Sequence, residues 1–228
     1  MKKQGSLLFN KRFWPTFWTQ FLGAFNDNIY KNAMVLLITF KAYTLGGLAV
    51  EQMVALCGGI FILPFFLFSA VAGQICDKYP KHKLLIMIKV WEILVMILGA
   101  AGFLTANITI LMTALFLMGT QSTFFGPVKY SILPELIKEH ELVEGNALVQ
   151  MGTFVAILIG TVVGGVLINI EEIGGQVVSV MVMFFAILGT LTALKVQHLK
   201  SNEADLKIDW GIIKPTWTIM KLSWEKKD

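Results

Sequence analysis

The sequence Asn26-Asp27-Asn28 stands inside the first long apolar stretch of this 228-residue chain, and Lys31 follows four residues after Asp27. Positions four apart share one face of a helix, and Gln20 and Gly23 fall on the same stripe. An ionisable group at the centre of a bilayer costs about 2.5–3.5 kcal/mol on insertion scales, so it faces a wet cavity or pairs with another charge. Two readings are open here. The stripe lines a solvent-filled cavity in which Asp27 binds a substrate or coupling ion, or Asp27 and Lys31 neutralise each other locally. The flanking asparagines, which a simple pair does not need, favour the lining. Lys89 and Glu92, three apart, read as an intrahelical pair that helps packing without a direct role. Asn146, Gln150 and Thr153 form a one-sided polar stripe, either lining the same cavity or hydrogen-bonding to a neighbouring helix. Gly160-Thr-Val-Val-Gly164-Gly165 has the small-residue spacing that lets two backbones approach, and close packing suffices to explain it.

Long apolar elements must hold these groups. The chain is 56% hydrophobic and only 15% charged, with a mean hydropathy of +0.69. A soluble domain is nearer half apolar and a quarter charged, as a rough average. That excludes a soluble enzyme, a disordered tail and a fibre. Two cysteines, Cys57 and Cys76, exclude a disulfide scaffold. The net charge of +4 is scattered in short clusters between apolar runs, which argues against a nucleic-acid partner. Six spans of at least 18 residues are expected: Phe13–Phe40, Gln52–Cys76, Leu84–Thr105, Ile108–Gly126, Ala147–Ile168 and Val177–Leu194. None shows the alternation of a barrel strand, so the fold class is an all-α membrane protein. Three regions follow: a cytoplasmic N-terminus (1–12), a six-helix transmembrane bundle (13–198) and a cytoplasmic amphipathic connector (199–228). Sixteen Lys and Arg residues fall in the termini and even-numbered links, against Lys41 alone on the other side. The bias puts both termini in the cytoplasm. The first span is too long, and too polar at Asp27 and Lys31, for a secretory signal, so it reads as an uncleaved helix.

Between the second and third spans the chain reads Gly73-Gln-Ile-Cys-Asp77-Lys78-Tyr79-Pro80-Lys81-His82-Lys83. This resembles the cytoplasmic loop motif of the major facilitator superfamily, with Gly73, Asp77, Lys78, Lys81 and Lys83 in register. The glycine would let the helix end pack against a neighbour. The aspartate would pair with a basic loop residue or face a helix N-terminus, in contacts made in one access state and broken in the other. Pro80-Lys81 departs from the glycine many members carry there and stiffens the turn.

Two further stretches, Gln20-Phe-Leu-Gly-Ala-Phe-Asn-Asp27-Asn28 and Phe125-Gly-Pro-Val-Lys129-Tyr-Ser-Ile-Leu-Pro134, resemble those of bacterial lysophospholipid transporters. Glu144-Gly-Asn146-Ala-Leu and Thr153-Phe-Val-Ala-Ile-Leu-Ile-Gly160-Thr are similar too. The resemblance runs from about residue 15 to 168, with the motifs in order. It implies a carrier of the bacterial inner membrane that brings lysophosphatidylethanolamine or related lysolipids inward for reacylation. In some bacteria such a carrier is fused to an acyltransferase and an acyl-carrier-protein synthetase. By position the resemblance makes Asp27 the family's functional acid of the first helix and Lys129 its basic residue after the fourth. Lys129 and Lys31 would neutralise phosphate and Asp27 would meet the ammonium; alternatively Lys129 marks the membrane boundary.

A carrier of this superfamily has two six-helix halves with its site between them. The chain holds one, so it is expected to be an N-terminal half that needs a C-terminal partner half. After the sixth span, Trp210, Ile213, Trp217, Met220 and Trp224 recur at helical spacing, with Lys207, Lys214 and Lys221 seven apart. That pattern suits a helix lying on an anionic lipid surface, beginning near Pro215. The acyltransferase signature H-x-x-x-x-D is absent at His82, His140 and His198, and no Cys/His cluster has metal spacing. Catalysis and a cofactor are therefore not expected. The rival readings are a proton-coupled exporter of a small amphipathic drug or metabolite, with Asp27 as proton carrier, and a scaffold that anchors a partner enzyme.

Overall fold

A computed structural model of the chain describes residues 7–41, 47–200, 205–209 and 211. Those residues fold into α1 (Trp14–Lys41), α2 (Val50–Lys78), α3 (Lys81–Leu104), α4 (Ile108–Ser131), the single turn α5 (Leu133–Leu136), α6 (Leu142–Ile168) and α7 (Gly174–Ala193). The last two labels thus belong to the fifth and sixth long helices. The helices α2, α3, α4, α6 with its preceding turn, and α7 are each long and apolar enough to cross a membrane. At 28 residues α1 has the length, but Asn26, Asp27, Asn28, Lys31 and Asn32 interrupt its apolar run.

The expected spans sit on these helices with shifted ends, and one shift matters. The fourth was expected to stop at Gly126, before Pro127. Instead α4 runs on to Ser131, so Lys129 and Tyr130 lie in its last turn and not in a link. Proline removes one backbone donor and crowds the Cβ of the preceding residue. Here that residue is a glycine, which has no Cβ to crowd. Likewise α3 begins at Lys81, so Lys81 and Lys83 occupy its first turn and the link to α2 shrinks to Tyr79-Pro80.

Packing is pairwise. The most extensive contact is α1 against α6, followed by α2 with α4, α3 with α7, α3 with α4, and α1 with α7. In the α1–α6 seam the glycine patch does what its spacing implies. A Cβ on Gly160 would lie 2.6 Å from the Phe25 carbonyl oxygen, and one on Gly164 would lie 2.5 Å from that of Ile29. Gly152 admits the Phe17 ring in the same way. Gly73 does not behave as expected: no atom lies within 4 Å of where its Cβ would stand, so it packs against nothing among the described residues.

On the side where the chain leaves α7, Leu199 donates its backbone N–H to His82 Nδ1 at 2.9 Å, and His198 Nδ1 stands 3.1 Å from His82 Nε2. The Asp209 N–H donates to Gln74 Oε1 at 2.7 Å. Lys81 forms an ion pair with Glu135 of α5. The loop-motif region is thereby tied to both α5 and the segment after α7. Asp77 is exposed and joins neither ion pair found among the described residues. The tryptophan-bearing part of the connector lies outside the described residues.

Candidate functional site

A cavity of about 260 Å³ opens between α1, α3 and α4. Gln20, Gly23 and Asp27 come from α1, Lys89 and Glu92 from α3, and Gln121, Ser122, Phe125, Lys129 and Tyr130 from α4. The α1 residues recur every three or four positions, which is why one helix can present them together.

Beneath the cavity lies a buried ion pair, Lys89 with Glu92, each about 1% exposed. Glu92 also accepts from Asn26 Nδ2 at 3.1 Å and from Gln121 Nε2 at 3.3 Å. The Lys89 stem lies between two glycines: its Nζ is 3.2 Å from the Cβ position of Gly23 on α1 and 2.8 Å from that of Gly189 on α7. Thr190 of α7 donates to the Lys89 carbonyl at 3.2 Å. The expected intrahelical pair therefore exists, but it is more than a local pair. It joins α1, α3, α4 and α7 beside the cavity. A buried charge pair is tolerated only where further hydrogen bonds complete it, and the partners on α1 and α4 supply them.

Asp27 is under-bonded. Ser122 donates to its Oδ2 at 3.3 Å, a long contact, and Oδ1 is buried without a partner. Gln20, 3% exposed, donates its Nε2 to the Lys129 carbonyl at 3.2 Å, which leaves its own Oε1 unpartnered. Lys129 is half-buried. Its ammonium donates to Thr153 Oγ1 of α6 at 2.8 Å and lies 5.2 Å from the Tyr130 ring centre, while Tyr130 donates to Gln150 at 3.1 Å. The residues that line the cavity thus include two with unpartnered buried oxygens and one primary ammonium, with Phe125 as an apolar wall. A set of that kind has the chemistry to pair with a group carrying both a cation with N–H donors and an anion.

The structure brings together Asp27 and Lys129, puts Asn26 on Glu92 behind them, and reaches Gln150 through Tyr130. The others go elsewhere. Lys31 does not pair with Asp27; it sits 4.5 Å from the Phe61 ring centre, beside a separate and mostly apolar cavity with Met34, Cys57 and Leu115. Asn28 bonds back to the Ala24 carbonyl at 2.6 Å and packs on Gly160, on the α6 side. Asn146 is exposed and bonds to the Leu142 carbonyl of its own helix. Gln121 and Ser122 went unnoticed in the sequence, although two polar residues inside an apolar span are themselves a signal. Next to this site, Ile88, Trp91, Phe124 and Val128 line an almost wholly apolar groove of about 300 Å³. The two hollows are served by adjacent residue pairs of α4, Phe124 with Phe125 and Val128 with Lys129.

The chain is similar to known proteins over most of its length. The chain is 30% identical over 163 residues to the lysophospholipid transporter of Cronobacter sakazakii, a match covering 70% of this chain and 37% of that protein. It is 34% identical over 149 residues to that of Enterobacter sp. (strain 638), covering 65% and 34%. With that of Serratia proteamaculans it shares 30% over 175 residues, covering 75% and 40%. The matched part is thus two fifths or less of the relatives' length. Residues 45–221 match the family described as transmembrane secretion effector. With most of its length inside that match and its helices carrying the loop motif and a polar cavity, the chain belongs to the transmembrane secretion effector family of the major facilitator superfamily.

Proposed function

We propose that the protein takes part in moving lysophospholipids across the bacterial inner membrane, with the α1–α3–α4 cavity as the head-group site. The observation that carries this is the pairing of two hollows on adjacent faces of α4. One holds Asp27 and Lys129 and the other is lined by Ile88, Trp91, Phe124 and Val128. A lysolipid has the same division: a charged head and one acyl chain. In this reading Lys129 meets the phosphate, Asp27 meets the head-group ammonium, and Asn26, Gln150 and Tyr130 support them. Lys31, Asn28 and Asn146 have no head-group role. All six long helices span the membrane in this proposal, α1 included, because Asp27 faces the cavity and Asn28 satisfies itself on its own helix. Both termini are cytoplasmic. The bundle works as the N-terminal half of a two-bundle carrier, and an acyltransferase would use the lysolipid delivered. The resemblance of the matched relatives, which are named lysophospholipid transporters, supports the choice of cargo.

The test is binding of a fluorescent lysophosphatidylethanolamine to the chain in nanodiscs. Asp27→Asn and Lys129→Met should each weaken binding about tenfold, the scale of one charge-assisted contact. Binding that neither substitution changes, or none at all to the unaltered chain, overturns the assignment. Uptake driven by a pH gradient without lysolipid would instead favour the proton-coupled exporter.

A further inference from the structure

Asp27 is held by an arrangement that starts at Glu92. An ionised carboxylate only accepts hydrogen bonds, whereas a side-chain amide has a donor end and an acceptor end. Gln121 Nε2 points at Glu92 Oε2, 3.3 Å away. The other end of that amide, Oε1, is therefore turned to Ser122, whose Oγ is 3.4 Å from it. The same Ser122 Oγ is 3.3 Å from Asp27 Oδ2. A hydroxyl has one proton, so two acceptors compete for it. The second oxygen of Asp27 has no partner at all.

We infer that Glu92 is a positioning residue for Asp27: by fixing the Gln121 amide it diverts the Ser122 proton and keeps Asp27 short of hydrogen bonds, ready for a ligand. The inference rests on the proposed head-group role of Asp27 for its binding consequence, but not for the hydrogen-bond relay itself. Were position 92 an amide with its nitrogen towards Gln121, the Gln121 amide would turn over. Its Nε2 would then donate to Ser122, and Ser122 would be free to give its whole proton to Asp27. A carboxylate already satisfied is a poorer partner for an incoming ammonium.

Glu92 alone cannot be replaced cleanly, since Lys89 would be left as a buried unpaired charge. The variant is therefore Lys89→Met with Glu92→Gln, compared in the presence and absence of Ser122→Ala. Two readouts are taken on the full chain in nanodiscs. One is lysophosphatidylethanolamine binding; the other is the infrared carboxylate band of Asp27, identified by its loss in Asp27→Asn. The double substitution should weaken binding about tenfold and shift the Asp27 band, the scale of one such hydrogen bond to a charge. In the Ser122→Ala background it should change binding less than about twofold and leave the band in place, because the route through Ser122 is gone and coupled residues are non-additive. Equal changes in both backgrounds overturn the relay, as does an Asp27 band indifferent to position 92. If the chain binds no lysolipid, the head-group assignment fails, and the infrared comparison still decides the relay by the same two outcomes.

Discussion

Helix α1 has two faces that are built in opposite ways. Towards α6 it is closed: Gly160 and Gly164 bring backbone onto backbone, and Asn32 donates to the Thr161 carbonyl across the same seam at 2.6 Å. Towards α3 and α4 it is hollow, and Gly23 there admits the Lys89 ammonium instead of another backbone. A missing side chain therefore means contact in one place and accommodation of charge in the other. In a bilayer, association relies on packing and hydrogen bonding more than on hydrophobic drive. In α1 the tightly joined face is the one towards α6.

The difference can be broken experimentally, and the largest effect belongs to the hollow side. Glu92→Ala leaves Lys89 buried and unpaired and should destabilise the bundle by about 3–5 kcal/mol, whereas Lys89→Met with Glu92→Met should restore most of it. Detergent-denaturation curves measure both. If the double replacement is as damaging as the single, the pair is not what organises that side. Next comes the seam. Gly164→Val, with its new Cβ against the Ile29 carbonyl, should cost about 1–3 kcal/mol by overpacking in the same assay. A neutral result there would mean that α1 and α6 are not closely joined.

Smaller changes sharpen the contrast further. Asp27→Asn should change unfolding by less than about 1 kcal/mol, because the residue has one long hydrogen bond to lose; its effect should appear in ligand binding. Were it to destabilise as much as Gly164→Val, Asp27 would belong to the scaffold. Asn146→Ala should be within about 0.5 kcal/mol of the unaltered protein and bind equally well, as expected for an exposed side chain bonded to its own helix.

The long helices were legible in the sequence because hydrocarbon thickness sets a minimum apolar length, and no feature of packing can override it. The glycine patch was legible too, since a seam of small residues has one main use. Helix ends were less so: Gly126-Pro127 looks like a stop by local chemistry, yet α4 continues for a turn and carries Lys129 with it. The site was half legible. Asp27 stood out as a charge in a costly place and Lys129 through the family resemblance alone, but the partners Gln121 and Ser122 did not stand out. Spacing also put Lys31 with Asp27, and geometry separates them. A helical face deduced from spacing is wide, and rotation by a fraction of a turn decides whether a lysine meets a carboxylate or the ring of Phe61.

Sequence alone determined that this is a multi-pass membrane protein, which apolar runs carry charge, and where two backbones can touch, because each of those follows from the chemistry of a residue and its near neighbours along the chain. Tertiary structure alone decided that Lys89 and Glu92 join four helices, that Asn26 serves Glu92, and that Asp27 is left under-bonded beside Lys129. Those outcomes depend on how α1, α3, α4 and α7 are rotated against one another. Rotation is fixed by packing between residues far apart in the chain, which no local pattern records.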